Sequence, residues 1–287
     1  MTKRNATLIG FTAVLMWALL ALFTVGAVEV PALQLNAICF AIGGAIGAVW
    51  TTVTGQWRAL TRVPLGVYAF GTVGLFGYHF LYFSALRAAP PAEAGLIAYL
   101  WPLLIVLFSG LLPGEHLRPL HILGALLSFA GAALLIARGA AFSGDHALGY
   151  MLAIGCALTW SGYSVISRRF GSVPSLSVTV YCLAAAVLST VAHLCLETTT
   201  WPSTNLGWAS MFALGIGPVG LAFYVWDIGV KQGNIQLLGT ASYAAPLLST
   251  AALVAAGIAE PQLVLAASAI LISVGAALAA IAGRQNR

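Results

Sequence analysis

Ten apolar stretches, each about 20 residues long, divide the sequence, and short polar segments between them carry most of its charge. About 20 apolar residues in a helix cross the hydrocarbon core of a bilayer. The stretches occupy residues 8–28, 32–52, 64–84, 92–112, 118–138, 147–167, 174–194, 206–229, 235–257 and 262–282.

The composition excludes a water-soluble globular domain. Only 7% of the residues are charged and 61% are hydrophobic, whereas soluble domains contain about 25% charged residues. Lipid offers no partners for backbone amides, and the stretches lack the period-2 alternation of a membrane barrel. The sequence therefore predicts an all-α integral membrane protein with ten transmembrane helices. Lys3 and Arg4 precede a first stretch that is longer than the apolar region of a signal peptide, so we expect it to be retained.

The basic residues predict the orientation, because cytoplasmic loops of membrane proteins carry an excess of Lys and Arg. With the N-terminus in the cytoplasm, ten basic residues fall inside and only Arg87 and Arg138 fall outside. Both termini are then cytoplasmic. The ten are Lys3, Arg4, Arg58, Arg62, Arg118, Arg168, Arg169, Lys231, Arg284 and Arg287.

An internal repeat relates the two halves, which predicts a first five-helix repeat at residues 1–140 and a second at 141–287. An odd number of spans per repeat forces the second to insert upside down. Inverted repeats around a site at the membrane midplane are typical of secondary transporters, in which one half rocks against the other. Trp17, Pro31 and Cys39 recur 143 positions later as Trp160, Pro174 and Cys182, and Arg87, Gly95, Tyr99, Pro102 and Gly131 recur 144 later as Lys231, Gly239, Tyr243, Pro246 and Gly275.

The third predicted span holds the first candidate binding residues. Tyr78, His79 and Tyr82 lie three and four apart, on overlapping faces of a helix. A polar group inside a span is costly to desolvate, which favours a role in a substrate cavity. The alternative is that a neighbouring carbonyl or a buried water satisfies His79 without any contact with substrate.

Proline within the fourth and ninth spans predicts bends. The motifs are Tyr99-x-x-Pro102 and Tyr243-x-x-Pro246, and each proline removes one helical hydrogen bond and frees a carbonyl that can line a cavity. Trp101 adds an aromatic face beside the first bend. Gly95 and Gly239 are candidate flexible points one or two turns earlier. The alternative is that the prolines only shape the bundle.

Trp17 and Trp160 lie too deep in their spans for the interfacial aromatic belt. With Tyr163, one turn beyond Trp160, they form either cavity wall or lipid-facing packing. Asp227 and Lys231 lie four apart near the cytoplasmic end of the eighth span, where they are expected to pair or to reach toward the interface, and a cytoplasmic gate is the alternative.

The middle of every predicted span lacks Asp and Glu. Carriers coupled to protons or sodium usually place acids there, so the sequence disfavours coupling through a carboxylate. Facilitated diffusion, exchange and coupling through His79 remain open. The sequence also lacks the motifs of nucleophilic hydrolases, zinc proteases and nucleotide-binding loops, and Glu115-His116 is the only cluster that an intramembrane enzyme would offer. We expect no enzyme activity, metal, cofactor or nucleic-acid partner. The oligomeric state stays open, with a monomer plausible.

The segments Ala85-Leu86-Arg87, Pro102-Leu103, Gly114-Glu115-His116-Leu117, Gly124 and Gly131 resemble the EamA-type halves of the drug/metabolite transporter superfamily. The second half follows the pattern more loosely, because Ala259 replaces the glycine before Glu260. The resemblance covers the whole chain and implies ten spans in two five-span repeats.

Within that superfamily, the runs Tyr78–Phe83 and Tyr99–Pro102 are similar to those of the YddG-type bacterial exporters of aromatic and other hydrophobic amino acids. The resemblance implies a bacterial inner-membrane protein that moves amino acids or related metabolites outward through a central hydrophobic cavity. Other hydrophobic metabolites or drugs are the alternative substrates.

Overall fold

The computed structural model describes residues 1–137 and 139–284. Within them, ten helical segments are long and apolar enough to cross a membrane, as the sequence predicts. Arg138 and Arg287, two of the residues used to predict orientation, lie outside the described residues. Spans 1 to 10 are Lys3–Gly26, Ala32–Val53, Leu65–Ala88, Pro91–Ser109, Pro119–Ile136, Gly144–Phe170, Ser175–Leu196, Asn205–Gln232, Ile235–Ala255 and Leu263–Gly283.

Five of these spans are interrupted. Span 1 breaks at Leu19, between the helices Lys3–Ala18 and Leu20–Gly26. Span 4 consists of the helices Pro91–Ala98 and Trp101–Ser109, and span 9 of Ile235–Ala241 and Ala244–Ala255. The bends that the two Tyr-x-x-Pro motifs predict are therefore present as full interruptions, because a proline at the start of a helix has no N–H to continue the preceding one.

Spans 3 and 8 each contain one turn of π-helix, Val73–Gly77 and Gly217–Leu221. The α-helices Tyr78–Ala88 and Ala222–Gln232 follow them. Both pairs of elements begin and end 144 residues apart, which is the offset of the sequence repeat in this region. Shared interruptions thus fix the residue-by-residue register of the two repeats.

The packing of the spans follows an inverted repeat. Span 5 packs against span 10, where Gly124 lies against the backbone of Gly275, and span 2 packs against span 7, where Asn36 Nδ2 donates to Ser189 Oγ over 2.8 Å. Span 1 contacts span 8, and span 6 contacts span 3. The repeat exchanges span 1 with 6 and span 8 with 3, so these two contacts are equivalent. The ten spans are two inverted five-helix repeats around one pseudo-twofold axis.

Candidate functional site

A central cavity of about 680 Å³ lies between the repeats. It is lined by the second halves of spans 1 and 3 and the first halves of spans 2 and 4, with the middle of span 8 and part of span 9. These parts of spans 1 to 4 all lie toward the end of the bundle opposite the N-terminus. The cavity therefore opens at that end, and it is closed toward the end that carries Lys3.

Seven of the ten predicted binding residues line this cavity. They are Trp17, Tyr78, His79, Tyr82, Tyr99, Trp101 and Trp160. Of the predicted hinge residues, Gly95 and Pro246 also line it. Four predicted residues, Pro102, Tyr163, Gly239 and Tyr243, are absent from the lining and lie deeper toward the closed end of the bundle.

Trp17 is the centre of the aromatic floor. Its ring lies 5.9 Å from that of Trp101 and 5.9 Å from that of Trp160, both edge to face, and 5.0 Å from that of Trp226. Its Nε1 donates to the Pro218 carbonyl, 3.1 Å away in the π-helical turn of span 8. Edge-to-face contacts between aromatic rings are favourable beyond their buried area. Together these rings seal the bottom of the cavity.

His79 has a defined tautomer. Its Nδ1 lies 2.8 Å from the Leu75 carbonyl, in the π-helical turn of span 3. A carbonyl only accepts hydrogen bonds, so Nδ1 carries the proton and Nε2 of the neutral ring is an acceptor. The ring packs edge to face on Phe40 and Phe223, with centroids 5.1 and 5.9 Å away. A carbonyl thus satisfies one nitrogen, and the residue also lines the cavity, so its role in substrate binding stays a prediction.

Tyr78 and Tyr82 form a flat aromatic wall above His79. Their rings are stacked with centroids 6.2 Å apart and an interplanar angle of 3°. Tyr99 continues the wall on span 4, directly before the helix Trp101–Ser109. The three hydroxyl groups are donors and acceptors in a surface that is otherwise mostly apolar, with Thr24, Asn36, His79 and Ser249 as the other polar lining residues.

Tyr163 and Tyr243 support the lining from behind. Tyr163 packs under Trp160, 5.2 Å between centroids, and stacks on Phe70. Tyr243 is fully buried, and its hydroxyl accepts a hydrogen bond of 3.0 Å from the Leu103 N–H, one of the free amides at the start of a helix. Both side chains are used for packing and capping in this conformation, which explains why they do not reach the cavity.

Pro102 and Gly239 meet where spans 4 and 9 pass each other. A Cβ added to Gly239 would lie 3.1 Å from the Pro102 carbonyl oxygen. The two predicted hinge residues therefore contact each other at the interruptions of their spans, below the cavity.

The sequence prediction missed several lining residues, among them Asn36, Pro218, Phe223 and Ser249. Phe223 was recoverable from the repeat, because it lies 144 residues after His79. Asn36 is an amide inside an apolar span, which is a signal of the same kind as His79. Pro218 is a proline inside an apolar span, the same signal as Pro102 and Pro246, whereas Ser249 carries no signal that distinguishes it from other span residues.

The closed end is held by polar contacts, one of which joins the two repeats. Arg168 on span 6 pairs with Glu115 in the loop after span 4, and Lys3 lies 3.7 Å from the same carboxylate. Arg168 Nη1 also donates to the carbonyls of Val230 and Gly233, over 2.8 and 2.9 Å.

The predicted pairing of Asp227 and Lys231 is confirmed. Lys231 Nζ lies 2.8 Å from Asp227 Oδ2, with both side chains buried. Within the part of the chain that the structure describes, no group of three potential ligands is placed to hold a metal ion.

Comparison with known proteins gives the family. The sequence matches the EamA-like transporter family twice, over residues 4–137 and 147–281. The chain belongs to the EamA-like transporter family. The repeated match agrees with the two inverted repeats of the structure, since each half of the chain matches the same family.

Full-length relatives have related names. The chain is 52% identical to the aromatic amino acid exporter YddG of Ancylobacter novellus over 99% of this chain and 100% of that protein. It is 24% identical to YddG of Escherichia coli over 88% of each protein. A solved crystal structure with 53% sequence identity superposes with a TM-score of 0.94 and covers 99% of both chains. The chain is thus a transporter of the same fold as these relatives.

Proposed function

We propose that this chain exports aromatic and other hydrophobic amino acids, or closely related metabolites, across the bacterial inner membrane. The observation that carries the proposal is the cavity itself, aromatic in its walls and uncharged. In the described part of the chain, none of the lining residues is Asp, Glu, Lys or Arg. Such a cavity suits a substrate with a flat apolar side chain and no net charge.

The polar groups of the cavity match the two ends of a zwitterion. His79 Nε2 is an acceptor for an ammonium group, and the hydroxyls of Tyr78, Tyr82 and Tyr99 can donate to a carboxylate. A permanent cation finds no carboxylate among the described lining residues, so drugs with a quaternary amine fit this site less well. The names of the full-length relatives favour the same substrate class.

The transport cycle that we propose is alternating access about the pseudo-twofold axis. The interruptions in spans 4 and 9 and the π-helical turns in spans 3 and 8 are bend points at equivalent places in the two repeats. We divide the repeats at residues 140 and 141, as the sequence suggests. The uncharged lining favours transport that is not coupled to ions through a carboxylate. We also propose that the protein is a carrier with no enzyme activity.

The distribution of basic residues supports a cytoplasmic N- and C-terminus. With this orientation, the cavity faces the periplasm and the contacts of Arg168, Glu115 and Lys3 close the cytoplasmic side. One chain forms the entire cavity, which favours a monomer as the functional unit.

Uptake into proteoliposomes tests the proposal. The substrates are labelled phenylalanine, threonine and a quaternary-amine drug, each with and without a pH gradient, and protein-free liposomes are the control. We expect phenylalanine uptake that does not depend on the gradient. Drug uptake without amino-acid uptake would refute the substrate class, and uptake that requires the gradient would refute uncoupled transport.

A further inference from the structure

In the register of the repeats, every cavity residue on span 3 has a counterpart at the equivalent position on span 8. The elements around them begin and end 144 residues apart, so Phe83 corresponds to Asp227 and Arg87 to Lys231. An aromatic residue in one repeat is thus replaced by a carboxylate in the other.

The two positions differ in exposure in the present conformation. Phe83 and Leu86 line the open cavity. Their counterparts Asp227 and Val230 are 1% and 0% exposed and lie in the closed half of the bundle. In an inverted-repeat carrier the two repeats exchange conformations when the other end opens. Span 8 then lines the cavity as span 3 does now, and Asp227 takes the position of Phe83.

We propose that Asp227 binds the ammonium group of the substrate in the inward-facing cavity, where the substrate is loaded. This inference rests on the proposed function. The inward-facing cavity would then contain a carboxylate, whereas the described lining of the outward-facing cavity contains none. An exporter would then hold its substrate through a charged contact on the loading side and through neutral groups on the release side.

The closed conformation shows how the carboxylate is held when no substrate is bound. Lys231 Nζ lies 2.8 Å from Asp227 Oδ2 and also donates to the Val173 carbonyl over 3.1 Å. A buried carboxylate needs a counterion, and Lys231 supplies it. Opening of the cytoplasmic side would expose this carboxylate, and a substrate ammonium could then take the place of Lys231 as its counterion.

On span 6, two of three counterparts of cavity residues on span 1 are more polar. Ala21 and Thr24 line the outward-facing cavity, and their equivalents 143 residues later are Ser164 and Ser167. Val25 corresponds in the same way to Arg168. The inward-facing cavity would thus offer hydroxyl groups and both signs of charge, which suits a zwitterion better than a neutral hydrophobe.

Kinetics at the two faces test the proposal. The variants are Asp227→Asn and the double variant Asp227→Asn/Lys231→Met, which removes both buried charges and so avoids an unpaired Lys231. Asp145→Asn, at the exposed start of span 6, is the control. Oriented vesicles report the KM for phenylalanine at each face, and 3-phenylpropanoate, which lacks the amino group, is the competing ligand.

We expect both variants to raise the KM at the cytoplasmic face about tenfold or more, as for loss of a charged hydrogen bond. The KM at the periplasmic face and the inhibition by 3-phenylpropanoate should stay within about twofold of wild type. An unchanged cytoplasmic KM in the double variant, with normal transport by wild type, would overturn the role of Asp227 and leave the proposed function intact.

A second measurement does not depend on the substrate. Asp227→Cys, in a background with Cys195→Ser, is treated with a cationic thiol reagent from either side of the membrane. Modification from the cytoplasmic side alone supports the inference. Absence of modification from that side would overturn it, even if phenylalanine is not transported and the proposed function has failed.

Discussion

Trp17 and Trp160 occupy equivalent positions in the two repeats, and their rings meet edge to face with centroids 5.9 Å apart. A residue that touches its own counterpart lies close to the axis that relates them. Tyr99 and Tyr243 are also counterparts, and their ring centroids lie 6.1 Å apart. The axis therefore passes through the aromatic floor, and the same rings can form the floor of a cavity that opens at either end.

The hydrogen bonds of these two tryptophans are not equivalent. Trp17 Nε1 donates to Pro218, whereas the position equivalent to Pro218 in the first repeat is Gly74, which lies against the Tyr163 ring. We expect Trp17→Phe to keep the ring packing, lose the bond that is specific to this conformation, and destabilise this conformation by about 1 kcal/mol, roughly fivefold in population.

The measurement is the rate at which a membrane-impermeant maleimide labels Val28→Cys at the cavity mouth, in a background with Cys195→Ser. Trp160→Phe is the matched control, because its indole makes no equivalent bond to Gly74. Slower labelling in Trp17→Phe alone is the expected result. Equal labelling in both variants would contradict it.

A second prediction concerns the acceptor nitrogen of His79. His79→Phe keeps an aromatic ring against Phe40 and Phe223 but removes the acceptor, and we expect the KM for phenylalanine to rise about tenfold. His79→Gln retains a carbonyl oxygen in a similar place and should recover part of the affinity. Transport assays with matched membrane abundance decide this. A KM in His79→Phe equal to wild type would exclude His79 from substrate binding.

The sequence was sufficient for the architecture. Apolar length gives ten helices, and matched tryptophans and prolines give the repeat, because both depend on local composition and order. The cavity was predicted less completely. Tyr163 and Tyr243 carry the same signals as Tyr82 and Tyr99, yet they are packed at the closed end. Sequence cannot distinguish them, because the two repeats differ in conformation and not in pattern.

The repeat also explains these differences. Tyr163 and Tyr243 are the counterparts of Leu20 and Tyr99, both of which line the open cavity. We therefore predict that these two tyrosines line the cavity when the other end opens. The ten predicted binding residues would then combine the linings of two conformations, of which the structure contains one.

We expect the stability of the folded protein to depend on pH through Glu29, in the loop between spans 1 and 2. The Ser203 hydroxyl, and then its backbone N–H, hold the pKa of Glu29 below its ordinary value of 4.5. A carboxyl group whose pKa is lowered in the folded state stabilises the folded protein at pH values above its ordinary pKa. This stabilisation is lost as the pH falls through the lowered pKa. We expect Glu29→Gln to lower the Tm at pH 7 and to have a smaller effect in more acidic buffer. A difference in Tm from wild type that does not change with pH would contradict this.

We expect loss of the ion pair between Glu115 and Arg168 to change the conformation of the protein. Both side chains are largely buried and the pair joins the two repeats at the closed end. Removing one partner of such a pair costs about 2 kcal/mol or more, and the cost falls only on the closed conformation. We expect Glu115→Gln to open the closed end more often, which hydrogen–deuterium exchange over residues 110–118 and 168–174 would detect as faster exchange.

Glu260→Gln is the control for that experiment, because Glu260 is exposed near the other end of the bundle. It should leave exchange in both segments unchanged. Wild-type exchange rates in Glu115→Gln would mean that the backbone contacts of Arg168 and the aromatic floor close this end without the ion pair.

Gly10 and Gly229 bring the backbones of spans 1 and 8 into contact. A Cβ at Gly10 would lie 2.8 Å from Gly229 Cα, which belongs to backbone and cannot turn aside. Overpacking of this kind costs about 1–3 kcal/mol, so Gly10→Ala should lower the Tm of the purified protein. Gly162→Ala is the matched control, since a Cβ there has nothing within 4 Å. Because alanine is the better helix former by about 0.5–1 kcal/mol, Gly162→Ala should raise the Tm. Equal melting temperatures for the two variants would show that the helices move apart freely at Gly10.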